Sequence, residues 1–154
     1  MITQRSVTID APADVVYALV SDPMRMSEWS PECVRCRWIT PSQRVEVGAR
    51  FRGTSRHGRR RWSTTSQITE IRRDEVFAWD VTYMRLPVAR WEYRIVPSGR
   101  GVRLVESVDD RRGAFLRRVS PWITGSSDRA ARNADTIDQT LLKVKAAAQA
   151  PDAG

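Results

Sequence analysis

Polar and apolar residues alternate at the start of the chain. Val7 and Ile9 are separated by Thr8 and flanked by Ser6 and Asp10, the period of a half-buried strand. Asp10-Ala11-Pro12-Ala13-Asp14 follows, with Asp10 placed to cap a helix and Pro12 suited to its first turn. Val15, Val16, Leu19 and Val20 then recur at helical spacing, which predicts a short amphipathic helix over Ala13 to Val20. Ser21-Asp22-Pro23 breaks it and opens a second short helix carrying Met24 and Met26, ending near Trp29. From there the pattern is of strands alone. Val34, Cys36 and Trp38 share one phase, and Phe51, Gly53 and Ser55 another, up to a turn at Gly58. Trp62, Thr64, Ser66 and Ile68 follow, then Phe77, Trp79, Val81 and Tyr83, then Trp91, Tyr93 and Ile95. After the turn Pro97-Ser98-Gly99-Arg100-Gly101, the set Val102, Leu104, Glu106 and Val108 completes an antiparallel meander.

The last third changes period. Ile137, Leu141, Val144 and Ala148 recur as on one helix face, and the stripe extends upstream through Asn133 to Arg129. Pro121 and Gly125 mark a start or kink, so a shorter helical piece from Ala114 precedes the long one. The order predicts an α+β fold: a seven-stranded curled antiparallel sheet around a long C-terminal helix, with two short helices after the first strand. Residues 1–150 read as a single domain, and 151–154 as a frayed tail. The inward strand phase holds large rings with Gly53, Thr64 and Ser66 between them. A solid core has the same alternation, but this spacing of large and small suits an internal cavity. Its expected lining is Phe51, Trp62, Thr64, Ser66, Phe77, Trp79, Tyr83, Trp91, Tyr93 and Glu106, with Asn133 from the helix. Leu86, Pro87 and Val88, in an expected loop over residues 84–89, are candidates to gate it together with the Gly58 hairpin.

Composition adds exclusions. The 154 residues carry 26 Lys+Arg against 18 Asp+Glu, with 41% hydrophobic residues throughout, so neither disorder nor a membrane span is expected. The N-terminus lacks the apolar run of a signal peptide, and the expected location is cytoplasmic. The densest basic cluster, Arg56-His57-Gly58-Arg59-Arg60-Arg61, is either a phosphate-binding patch or a solvated hairpin tip. Arg residues recur all along the chain and form no helical stripe, which favours the hairpin; nucleic acid is not an expected partner. Cys33-Val34-Arg35-Cys36 has CxxC spacing, but strand geometry puts residues three apart on opposite faces, so two free thiols are expected. One His and two Cys do not complete a metal site or a nucleophilic triad, and no cofactor is expected.

Several stretches, in order and spacing, resemble the START-like (SRPBCC, helix-grip) superfamily, most closely its polyketide cyclase/dehydrase-like branch. They are Ile9-Asp10-Ala11-Pro12-Ala13-Asp14-Val15-Val16 with Trp29, and Val47-Gly48-Ala49-Arg50-Phe51-Arg52-Gly53 with Trp62. Trp91-Glu92-Tyr93, Gly101-Val102-Arg103-Leu104-Val105-Glu106-Ser107 and Arg132-Asn133 before Thr140-Leu141-Leu142-Lys143 continue the series. The resemblance implies an internal hydrophobic pocket between sheet and helix, in a family whose members bind lipids, hormones or polyketides and in part catalyse cyclisation or dehydration. It marks a scaffold, not a chemistry. Iron chemistry of the ring-hydroxylase relatives needs two His ligands, and this chain has one His.

Glu106 is the most informative polar position. A carboxylate in the inward phase is paired, protonated or facing a wet cavity. It is either a general acid/base or ligand anchor, or half of a structural ion pair with the helix, for instance with Arg129. Asn133 reads the same way: a ligand hydrogen bond or an internal contact. The first function expected is a binding module holding a small hydrophobic molecule (aromatic, polyketide or lipid-like). The alternative is a polyketide cyclase or dehydratase that moves protons through Glu106, with Tyr83, Tyr93 or Asn133.

Overall fold

A computed structural model describes residues 1–151. Seven strands form one antiparallel sheet in the order β1-β7-β6-β5-β4-β3-β2. They are β1 (Ile2–Ile9), β2 (Cys33–Trp38), β3 (Arg50–His57), β4 (Arg60–Arg72), β5 (Val76–Tyr83), β6 (Leu86–Ser98) and β7 (Gly101–Asp110). Helix α1 (Ala13–Val20), a 3-10 turn (Pro23–Arg25) and α2 (Met26–Trp29) link β1 to β2, while α3 (Ala114–Thr124) and α4 (Arg129–Ala148) follow β7. Asp10 does not cap α1. The cap is Pro12, and the Asp10 backbone N–H instead donates to Gln149 Oε1 at 2.8 Å. Gly125, left-handed at φ 73°, ends α3, and the Asp128 side chain caps α4 by accepting from the Ala131 N–H at 3.0 Å. Pro121 therefore lies inside α3 and does not start the long helix.

Helix α4 lies across the concave face of the sheet. Its apolar residues Ile137, Leu141, Val144 and Ala148 are buried with Ile9, Val102 and Leu104 into a solid core. Upstream, the same helix face carries Arg129, Asn133 and Thr136. There the core opens.

Two strand expectations need correction. In β2 the pairing shifts between Cys33 and Arg35, which face Ser55 and Thr54, so Val34 is an extra residue that turns outward. The bulge reverses the strand phase at this point and brings Cys33 onto the same side as Cys36. The expected loop over 84–89 is a two-residue turn. Met84 and Arg85 both take positive φ (50° and 68°), the twist that a tight hairpin needs, and β6 starts at Leu86. Leu86 and Pro87 are exposed strand residues paired with Tyr83 and Thr82 and not part of a loop; Val88 is half-buried and reaches the cavity wall. The expected frayed tail lies outside the described residues from position 152 on.

Candidate functional site

The opening between sheet and α4 is a cavity of about 190 Å³. Cross-strand pairing explains why it is hollow. On β3 and β4, Phe51 faces Ser66, Gly53 faces Thr64 and Ser55 faces Trp62, so each ring stands opposite a residue too small to fill the gap. Across β5 and β6, Trp79 pairs with Trp91, with ring centroids 6.4 Å apart and planes 10° from parallel. Trp79 also packs on Tyr93 at 5.7 Å, giving one wall a continuous aromatic surface.

Phe51, Trp62, Thr64, Ser66, Trp79, Trp91, Tyr93, Glu106 and Asn133 all line this cavity. Phe77 and Tyr83 do not. Phe77 is fully buried behind Trp79 in the solid core, with ring centroids 5.5 Å apart, and Tyr83 sits half-buried beside the β5–β6 turn. Their phase is the expected one, but the cavity does not extend along the whole strand.

Glu106 is buried, and its Oε1 has no hydrogen-bond partner among the described residues. The expected ion pair with Arg129 is absent: Arg129 donates through Nη2 to Glu32 at 2.6 Å and through Nε to Asn133 Oδ1 at 3.0 Å. Arg5, the cross-strand neighbour of Glu106 on β1, turns to Asp138 of α4 at 3.7 Å. Burial pushes the Glu106 carboxyl up to about 8, an effect that the facing Tyr93 hydroxyl offsets only in part. Burial likewise raises the Tyr93 phenol well above its ordinary value, with the Glu106 charge adding to the effect. At neutral pH this wall presents a protonated acid next to a neutral phenol.

The opposite wall is cationic. Glu32 takes Arg129 and also Arg132, whose Nε donates to it at 3.0 Å. Arg129 keeps a buried Nη1 with no partner among the described residues, and its guanidinium lies 6.0 Å from the Trp62 ring centroid. Nothing local in the sequence marks Glu32, because its partners lie 97 and 100 positions away. Also on the lining, Arg112 binds Asp110 at 2.7 Å and Ser120 of α3 at 3.0 Å. Burial raises the Asp110 carboxyl, but the Arg112 hydrogen bonds outweigh it and hold it below its ordinary value. The Gly58 hairpin is tied to α3 through His57 Nδ1 and the Thr124 carbonyl at 3.1 Å, while Arg56 and the three arginines after Gly58 are exposed.

This architecture agrees with the comparisons to known proteins. The sequence matches the family described as polyketide cyclase / dehydrase and lipid transport over residues 2–148. The chain belongs to that family. Among solved structures, the Polyketide_cyc-like protein Cgl2372 from Corynebacterium glutamicum is 29% identical, with a TM-score of 0.61 over 94% of this chain and 88% of that one. DR_A0006 from Deinococcus radiodurans aligns over 95% of both chains with a TM-score of 0.68 at 16% identity. The di-domain ARO/CYC StfQ of the steffimycin biosynthetic pathway reaches a TM-score of 0.76 at 13% identity. This polyketide cyclase-like chain covers 96% of its own length there but 50% of StfQ, so the likeness is one of fold. No curated protein matches the sequence. Among the described residues, no group of three or more His, Cys, Asp and Glu is placed to hold a metal, and no helix is long and apolar enough to cross a membrane.

Proposed function

We propose that the cavity binds a small, flat, hydroxylated or keto-bearing aromatic molecule of the polyketide class. The observation that carries this is the pairing of an aromatic wall with two unsatisfied polar groups, Glu106 Oε1 and Arg129 Nη1. Buried polar atoms without partners are costly, and a ligand carbonyl or hydroxyl at each end removes that cost. Size limits the choice. A cavity of about 150 Å³ holds benzene, so 190 Å³ suits one or two fused rings, and a longer ligand must extend beyond the cavity. The test is titration with 2-naphthol followed by tryptophan fluorescence. Saturable binding at one site is expected, with loss of binding in Gly53→Leu. A Cβ at Gly53 meets only ordinary contacts, Thr64 Oγ1 at 3.8 Å and Cys36 Sγ at 3.9 Å, so a side chain can start into the cavity there without meeting backbone.

A second reading, polyketide cyclisation or dehydration, has its own support in the raised Glu106 carboxyl against Tyr93. An acid near neutrality can both give and take a proton, which enolisation and loss of water require. On this reading the protein accelerates aldol closure of a linear triketone probe. Glu106→Gln abolishes that turnover and keeps 2-naphthol binding.

A further inference from the structure

The bulge in β2 has placed two thiols together that strand geometry would have kept apart. Cys33 Sγ and Cys36 Sγ are 3.7 Å from each other, both half-buried and both on the cavity wall. We propose that Cys33 and Cys36 form a reactive dithiol that a hydroperoxide closes into a disulfide across the bulge.

Three features make the closure feasible. The sulfurs need to approach only from van der Waals contact to a bond of about 2 Å. Cys36 faces Gly53, and Cys36 Sγ is 3.9 Å from where a Cβ there would be, so no opposing side chain hinders its movement. Strand β2 is the last in the sheet, hydrogen-bonded to β3 on one side only, and its bulge already departs from regular pairing. Edge bulges absorb backbone adjustment more readily than a central ladder.

The two thiols are not equivalent. Either sulfur can donate in this contact; with Cys36 as donor it lowers the Cys33 thiol and raises that of Cys36, with burial opposing the first shift and adding to the second. In the proposed step Cys33, the thiol with the lowered value, is assigned as the nucleophile. Its thiolate attacks the peroxide O–O bond, forms an S–O bond and expels the distal oxygen as hydroxide or alkoxide. The result is a sulfenic acid at Cys33. Cys36 then loses its proton and attacks that sulfur, forming the S–S bond as hydroxide departs and is protonated. In sum, two thiols and one hydroperoxide yield one disulfide, one water and one water or alcohol.

The experiment treats the reduced full chain with hydrogen peroxide, blocks remaining thiols with N-ethylmaleimide and maps peptides without reductant. Trypsin cuts after Arg35, between the two cysteines, so the predicted bridge leaves two tryptic peptides joined until dithiothreitol separates them. In Cys36→Ser the reaction stops at a sulfenic acid on Cys33 that dimedone captures. In Cys33→Ser, Cys36 captures markedly less dimedone over the same time. A third arm repeats the oxidation in urea, where the bridge forms more slowly because the fold no longer holds the thiols together. Maleimide on both cysteines after oxidation has reached the methionines overturns the proposal, as does bridging at equal rates in folded and unfolded chains. Equal dimedone capture by the two single variants overturns the assignment of Cys33. These readouts hold whether or not the cavity binds an aromatic ligand.

Discussion

Replacing Glu106 by Gln changes how stability depends on pH, and the size of the change follows from the site. The folded carboxyl sits at about 8, against an ordinary 4.5 that it regains on unfolding. Between those values the native state keeps a proton that the unfolded chain has lost, so stability falls as pH rises by about 1.4 kcal/mol per unit. Below the ordinary value both states are protonated and the contribution is fully present; it is lost as pH rises through the folded value. Integrated from pH 5 to pH 8, with curvature at both ends, the loss is about 3–4 kcal/mol. Asp110 runs the other way, since its folded value is lowered, and it costs stability only on the acid side of this window. Glutamine keeps the shape of the protonated acid and cannot ionise, so Glu106→Gln removes the alkaline loss. Urea unfolding of both proteins at pH 5, 6, 7 and 8 measures it. The wild type should lose about 3–4 kcal/mol relative to the variant across that range. Parallel pH curves would refute the claim that Glu106 is buried without a countercharge.

Three further outcomes concern the site and its frame. Glu32→Ala leaves Arg129 and Arg132 side by side without their shared carboxylate. It should cost about 3 kcal/mol in urea unfolding, and a change below a tenth of that would mean the ion triad is not formed. At Gly101 a Cβ would strike the Ile9 carbonyl oxygen and crowd Asp10 Cα, where β1 ends against β7. Gly101→Ala should therefore lower stability by about 1–3 kcal/mol in thermal unfolding, whereas Gly53→Leu should leave it near the wild-type value.

Most of the fold was legible because each strand states its phase in several residues. Trp91, Tyr93 and Ile95, or Ile137, Leu141 and Val144, read correctly even though single positions are ambiguous. The cavity followed from small residues set between rings, but its length did not. Phe77 has the same phase as Trp79, and only tertiary packing decides which of them borders space. The bulge at Val34 left no signal, since one inserted residue changes the facing of Cys33 without changing composition. The β5–β6 turn carries no sequence signal for a related reason. Met84 and Arg85 adopt positive φ without the Gly or Asn that usually announces it, and Pro87 sits in a strand edge that reads as loop. The Glu32–Arg129 pair joins distant segments and is a product of the tertiary fold alone.

The most direct test of the central claim is an isotope-filtered NOE spectrum of the labelled protein with unlabelled 2-naphthol. Cross-peaks from the naphthol ring to Trp62, Trp91, Tyr93 and Thr136 side chains are predicted, and they should vanish in Gly53→Leu. Cross-peaks confined to the exposed Trp122 and Phe115 of α3, or persisting in Gly53→Leu, would contradict a ligand site inside the cavity.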